Sequence, residues 1–247
     1  MSVPNISVLI SGSGSNLQAL IDAEASGVLK GHITQVISSL ADAYGLTRAS
    51  KALIATKVHA LKPYYKGTTK DDKEERSLRR EKFNSDLANL LIYGSVSGEL
   101  VEGYEAPELV VCAGWMLILS PSILNALKDA GIIIINLHPA LPGAFEGTHA
   151  IDRAWQAGQD GKIKTGGVMI HYVIAEVDQG EPLVVKEIEL LKEDTLEQYE
   201  DKVHKVEHIA IVEGSNIVLR NLAKDNRKDT TDQITEKLNN VKLETKV

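Results

Sequence analysis

The stretch Ile132-Ile133-Ile134-Ile135-Asn136-Leu137-His138-Pro139-Ala140-Leu141-Pro142-Gly143 constrains this chain more than any other. Four consecutive isoleucines are β-branched and wholly apolar. Such a run suits a strand buried on both faces, as in a parallel sheet with helices on each side. Polarity changes abruptly at Asn136 and His138. These stand at i and i+2, so on an extended backbone both side chains point the same way. Pro139 and Pro142 then end the strand and stiffen the loop. In open α/β sheets, chemistry collects where the chain leaves the carboxyl end of a strand. An amide donor beside an imidazole at such a place is a candidate catalytic pair. The alternative is that both residues only cap the strand and satisfy loop backbone.

The segments before this stretch alternate between strand-like and helix-like patterns. Val3 to Ile10 reads as a strand and runs into Ser11-Gly12-Ser13-Gly14-Ser15-Asn16, after which Leu17, Ala19, Leu20 and Ile21 fall at helical spacing. Strand, small-residue turn and helix together make an anion site, because free N–H groups and the helix dipole favour negative charge. A tight turn with an N-cap at Ser15 or Asn16 would look the same. The turn lacks both the third glycine of a dinucleotide fingerprint and the Gly-Lys-Ser/Thr of a P-loop. His32 to Ser38 reads as a second strand. It ends in Ile37-Ser38-Ser39-Leu40, without the acidic residue that holds a dinucleotide's ribose. Ala43 to Ala52 reads as a helix and Ala52 to Val58 as a third strand. Lys62 to Lys82, dense in charge, reads as an exposed loop leading into a helix from Glu74 to about Leu91, with Leu78, Phe83, Leu87, Leu90 and Leu91 on its apolar face.

Glu108 to Cys112 is a fourth strand, followed by Ala113-Gly114-Trp115-Met116-Leu117-Ile118-Leu119, which is either the wall of a pocket for a flat ligand or core. Ser120-Pro121 starts a helix with Pro at its first position. Beyond the Ile132 strand, a helix covers Thr148 to about Ala157. Val168 to Ala175 forms a strand in which His171 reads as a packed, satisfied residue. Glu176 to Pro182 turns the chain, and Leu183 to Leu190 pairs antiparallel with the strand before it, since only a short turn separates them. Asp194 and Thr195 open a long helix to about Leu222, with Leu196, Tyr199, Val203, Val206, Ile209, Ala210 and Ile217 as its apolar positions. Alternating strands and helices without repeats make residues 1–222 one α/β unit. Residues 223–247 read as a polar extension, frayed or at most one marginal helix.

A formal charge of −7 over 247 residues argues against nucleic acid and against an anionic membrane surface as partners. It leaves room for a small anion in a locally positive pocket. The single cysteine, Cys112, excludes an internal disulfide and sits among apolar neighbours as a structural thiol. No segment is apolar and long enough to span a bilayer, and the first residues carry no signal-peptide pattern, so a cytoplasmic protein is expected. No Cys/His spacing indicates a metal, and none is expected.

Four local motifs, in order along the chain, resemble the glycinamide ribonucleotide transformylase family, folate-dependent enzymes of purine synthesis. Ile10 to Gln18 is similar to that family's substrate-phosphate loop. Ala113 to Pro121 is similar to its folate-pocket segment. Asn136-Leu137-His138-Pro139 and Asp178-Gln179-Gly180 carry an Asn, a His and an Asp where the family has its catalytic trio. The resemblance covers roughly residues 3–222. It implies a Rossmann-like open twisted sheet, mostly parallel with an antiparallel C-terminal hairpin and helices on both faces. It also implies Asn136, His138 and Asp178 as catalytic residues, and substrate contacts from Gly14, Ser15, Asn16, Glu207 and His204. Folate contacts would come from Arg80, Met116, Leu117, Ile118, Leu119 and Asn136. The implied co-substrate is 10-formyltetrahydrofolate, the partners are small molecules, and the state is a monomer or weak homodimer. Leu117 stands where many relatives carry Arg, and Ala140 to Gly147 replaces a Ser-Leu-Leu-Pro type run. Competing expectations are a methionyl-tRNA formyltransferase, a formyltetrahydrofolate hydrolase, or a non-catalytic nucleotide-binding protein of the same fold.

Overall fold

Two short apolar runs, β1 (Asn5–Ile10) and β4 (Leu109–Cys112), lie side by side within a seven-stranded sheet. A computed structural model describes the backbone of residues 3–244, with side chains through residue 224. On one side of β1 lie β2 (His32–Ser38) and then β3 (Ala55–Val58), both parallel to it. On the other side of β4 come β5 (Ile133–His138), parallel, then β6 (Thr165–Tyr172) and β7 (Pro182–Glu189), each antiparallel to its neighbour. The chain therefore leaves β1 in one direction and resumes at β4 in the other. That reversal opens a crevice at the carboxyl ends of β1 and β4.

Side-chain alternation sorts these strands into two cores. Val8, Val111, Ile135 and Leu137 face one layer, and Leu9, Val110, Cys112 and Ile134 face the other. The first layer is covered by α1 (Ser15–Ala25), α5 (Ala150–Gln159) and α6 (Leu196–Glu244), and the second by α3 (Lys73–Tyr93) and α4 (Pro121–Asp129). A shorter helix, α2 (Tyr44–Lys51), links β2 to β3. Cys112 is buried, which pushes its thiol up to about 12, as befits a structural residue.

Several expected boundaries and faces differ. Leu78 is 64% exposed, because the buried face of α3 begins only at Phe83 and the turns before it are densely charged. Ile209 on α6 is likewise exposed, and that helix packs through Tyr199, Val203, Ala210, Ile211 and Val218. The strand expected over Val168 to Ala175 instead begins at Thr165 and ends at Tyr172, so Gly166 and Gly167 belong to β6. A Cβ on Gly166 would lie 2.0 Å from the Tyr199 hydroxyl, and one on Gly167 would lie 2.4 Å from the Lys186 carbonyl. Glycine is what lets β6 pass beneath α6 and against β7. The helix expected to end near Leu222 runs on as α6 to Glu244, into the extension expected over 223–247, whose side chains from residue 225 on lie outside the described residues.

Candidate active site

The carboxyl ends of β1, β4 and β5 border a cleft of about 480 Å³. The turn Ser11–Gly14 forms one end of it. Gly14 is left-handed, with φ of 70°, and is itself the N-cap of α1, so neither Ser15 nor Asn16 caps the helix and no side chain caps it. The N–H groups of its first turn are thus without intrahelical acceptors. Asn16 turns inward instead, and its Nδ2 donates to Glu207 Oε2 at 3.1 Å. Its Oδ1 is buried with no partner among the described residues. Glu207 is itself buried. Burial pushes its carboxyl up, against the hydrogen bond from Asn16 and the nearby His204.

The segment after β4 is both pocket wall and core, by alternation. Trp115 and Leu119 are buried in the second core, while Met116 and Ile118 are 64% and 63% exposed and line the cleft, with Leu117 between them. Ser11 Oγ accepts from the Met116 N–H at 2.9 Å and from Ser39 Oγ at 2.6 Å, tying this wall to the turn after β1. Arg80 is not part of the cleft lining. Its guanidinium donates to the Ile118 carbonyl at 2.9 Å, bracing the wall from α3.

At the end of β5, Asn136 and His138 share a face, as the spacing predicts, and Asp178 arrives from the turn after β6 in a left-handed conformation. Asp178 Oδ2 lies 3.4 Å from His138 Nδ1 and accepts the Gly147 N–H at 2.9 Å, while Oδ1 lies 3.4 Å from Asn136 Nδ2. The three expected residues therefore converge. A fourth joins them. His171 stands opposite Asn136 in the β5–β6 register, with its Nε2 3.2 Å from Asn136 Nδ2 and 3.6 Å from Asp178 Oδ1. The sequence reading of a satisfied strand residue describes only half of this imidazole. Its Nδ1 must carry a proton, since the Tyr172 carbonyl 2.8 Å away can only accept. Its Nε2 faces the site. The signal that could have found it is cross-strand pairing, and that required the antiparallel register.

Burial pulls the His138 imidazole below its ordinary value. The Asp178 charge and the Ala144 and Phe145 carbonyls pull upward without prevailing, and His171 adds to the lowering. For Asp178 the balance is opposite. Burial pushes it up, but the His171 imidazole beside it, the hydrogen bond from the Gly147 N–H and the His138 imidazole hold it below the usual carboxylate range. In the open cleft His138 is thus neutral beside a carboxylate, and its Nε2 is buried with no partner among the described residues. Among the described residues no group of three or more His, Cys, Asp or Glu side chains is placed to hold a metal ion, and no helix is long and apolar enough to cross a membrane.

A doubly wound sheet with an anion turn, an apolar wall and an Asn/His/Asp cluster at its switch point defines an α/β group-transfer enzyme. The formyl transferase family matches residues 4–214, and the chain belongs to that family. Among its relatives is the phosphoribosylglycinamide formyltransferase of Saccharomyces cerevisiae, 54% identical over 224 residues, which cover 89% of this chain and 99% of that one. The Schizosaccharomyces pombe protein of the same name is 48% identical over 219 residues, covering 88% and 98%. A solved glycinamide ribonucleotide transformylase from Symbiobacterium toebii superposes with a TM-score of 0.70 at 30% identity, covering 89% of each chain.

Proposed function

We propose that this enzyme transfers the formyl group of 10-formyltetrahydrofolate to the primary amine of glycinamide ribonucleotide, a step of purine synthesis. The observation that carries the reading is the convergence of Asn136, His138 and Asp178 at one strand end, in a chain about half identical to an enzyme of that name. The ribose phosphate takes the free N–H groups of Gly14, Ser15 and Asn16. Glu207 and His204 face the rest of the nucleotide, and the pterin lies against Met116, Leu117, Ile118 and Leu119. Arg80 holds that wall through the Ile118 carbonyl.

In this scheme the amine attacks the formyl carbon. A C–N bond forms, the carbonyl electrons move onto oxygen, and the Asn136 amide N–H stabilises the charge. His138, neutral at the outset, takes the proton that the attacking nitrogen loses. It becomes an imidazolium beside Asp178, whose carboxylate favours that form. As the tetrahedral centre collapses, the bond to N10 breaks and the proton passes to N10, directly or through water. One proton leaves the amine and one reaches N10, so the balance closes without an external acid. Holding both substrates in one cleft supplies the orientation the transfer needs.

The test is a formyl-transfer assay with both substrates on wild type, His138→Ala and Asp178→Asn. Turnover is expected in the first, and losses of at least about a hundredfold in both variants, the usual scale for acid–base groups. Full activity in either variant removes that residue from the scheme. No turnover in wild type removes the scheme itself.

A further inference from the structure

Nothing in the proposed transfer uses α2, yet this helix is seated directly on the turn after β1. A Cβ on Gly14 would lie 2.6 Å from Gly45 Cα, and one on Gly45 would lie 2.5 Å from Ile10 Cδ1. Two glycines therefore let helix and turn meet backbone to backbone. The Gly45 N–H donates to the Gly12 carbonyl at 3.1 Å. One helical turn later the half-buried Arg48 donates from Nε to the Ser13 carbonyl at 2.9 Å and from Nη1 to Gln18 Oε1 at 3.1 Å. The Gly14 carbonyl takes the Gln18 N–H at 2.9 Å. Three successive carbonyls of the turn are thus committed to donors, two of them by α2. The arrangement matters because a carbonyl oxygen repels an anion. A turn can present converging N–H groups only if its C=O groups are held elsewhere. Burial, then the charges of His204 and Arg48, hold the His208 imidazole of α6 below its ordinary value.

We propose that Arg48 is a positioning residue for the phosphate-bearing substrate: by taking the Ser13 carbonyl and Gln18 at once, it fixes the turn in the conformation whose N–H groups receive the phosphate. The inference rests on the phosphate placement given under Proposed function. Arginine suits the task because its planar fork reaches two acceptors in fixed geometry, whereas lysine keeps the charge but lacks that fork. Charge and geometry are therefore separable.

Steady-state kinetics on wild type, Arg48→Lys and Arg48→Met decide it, with glycinamide ribonucleotide and with its dephosphorylated ribonucleoside. The expected KM for the ribonucleotide rises about tenfold in Arg48→Met and nearly as much in Arg48→Lys, the scale of one hydrogen bond to a charged group, while kcat and the KM for the ribonucleoside move far less. An unchanged ribonucleotide KM in Arg48→Met, full rescue by lysine, or an equal rise for both substrates overturns the inference while leaving the transfer reaction in place. Should Arg48→Met fail to fold, Arg48→Lys carries the same comparison. A wild type that treats the two substrates alike overturns the phosphate placement, and this inference with it.

Discussion

His138 and Asp178 show how burial and charge divide a pair between them. Both imidazole and carboxylate sit in the same low-dielectric corner. The carboxylate has fixed N–H and imidazole partners that favour its charge, whereas the imidazole's upward pulls do not match its desolvation. Two consequences are measurable. If His138 must start neutral, kcat/KM falls as pH drops through its folded-state pKa, which lies below the ordinary 6.5. Removing the Asp178 charge takes away the largest upward pull, so the acid limb of what activity remains in Asp178→Asn moves to still lower pH. A pH–rate profile of the two proteins checks this, and an upward shift would contradict it. Stability responds through the same groups. His59, His138 and His208 are all harder to protonate folded than unfolded, chiefly because each is desolvated. The unfolded chain therefore binds protons first as pH falls through 6.5. This contribution is complete above 6.5 and lost as pH drops toward the folded values. His138→Asn should lose less stability than wild type between about pH 7.5 and pH 5.5 in urea unfolding. His171 acts through another residue. With Nδ1–H bound to the Tyr172 carbonyl, its Nε2 can take an Asn136 N–H and fix the amide's orientation. His171→Phe is expected to lower kcat/KM by roughly 10²–10³, as for loss of one oxyanion donor. An effect on substrate KM alone would argue against that role.

At the scale of elements, the centre of the parallel half of the sheet was legible because β1, β4 and β5 are mostly apolar runs closed by turn signals. The isoleucines of β5, with the polar Asn136 and His138 at its end, marked both the strand and the candidate site. What was not legible depended on neighbours distant in sequence. The β5–β6 register, which sets His171 against Asn136, leaves no mark in either strand alone. Gly166 and Gly167 fall before the strand expected from Val168 on, and only Tyr199 of α6 and Lys186 of β7 show why they belong inside it. Periodicity on α3 ran on through Leu78 because a pattern of apolar spacing carries no information on where burial begins. This helix also gives a direct contrast. Leu87 is wholly buried in the second core and Leu78 is 64% exposed. Leu87→Ala should cost about 2–5 kcal/mol through lost burial and the cavity left behind, whereas Leu78→Ala should stay within about 0.5 kcal/mol. Equal costs in chemical denaturation would mean that the α3 face is misassigned.

At the scale of the whole molecule, a single sheet separates two apolar layers, and the cleft spans the strands that both layers share. Ile135 and Leu137 of β5 pack into the first layer and Ile134 into the second, so neither layer can loosen without disturbing the strand that carries Asn136 and His138. The chain's two tryptophans report on this separately. Trp115 is buried in the second layer, stacked near Phe83 at 6.5 Å between ring centroids. Trp155 packs against the first, with its Nε1 donating to the Asp194 carbonyl at 2.9 Å. Cooperative unfolding through the shared strands requires that both indoles lose their surroundings together. Fluorescence-monitored urea titrations of Trp115→Phe and Trp155→Phe, each leaving one reporter, should each coincide with that variant's far-UV circular dichroism transition. Glycinamide ribonucleotide at about a hundred times its Kd should stabilise both by about 2.7 kcal/mol, since the ligand binds only the folded state. If in either variant fluorescence and circular dichroism part company, or the ligand moves only the Trp115 signal, the layers unfold independently. The cleft would then belong to one of them and not to the sheet between.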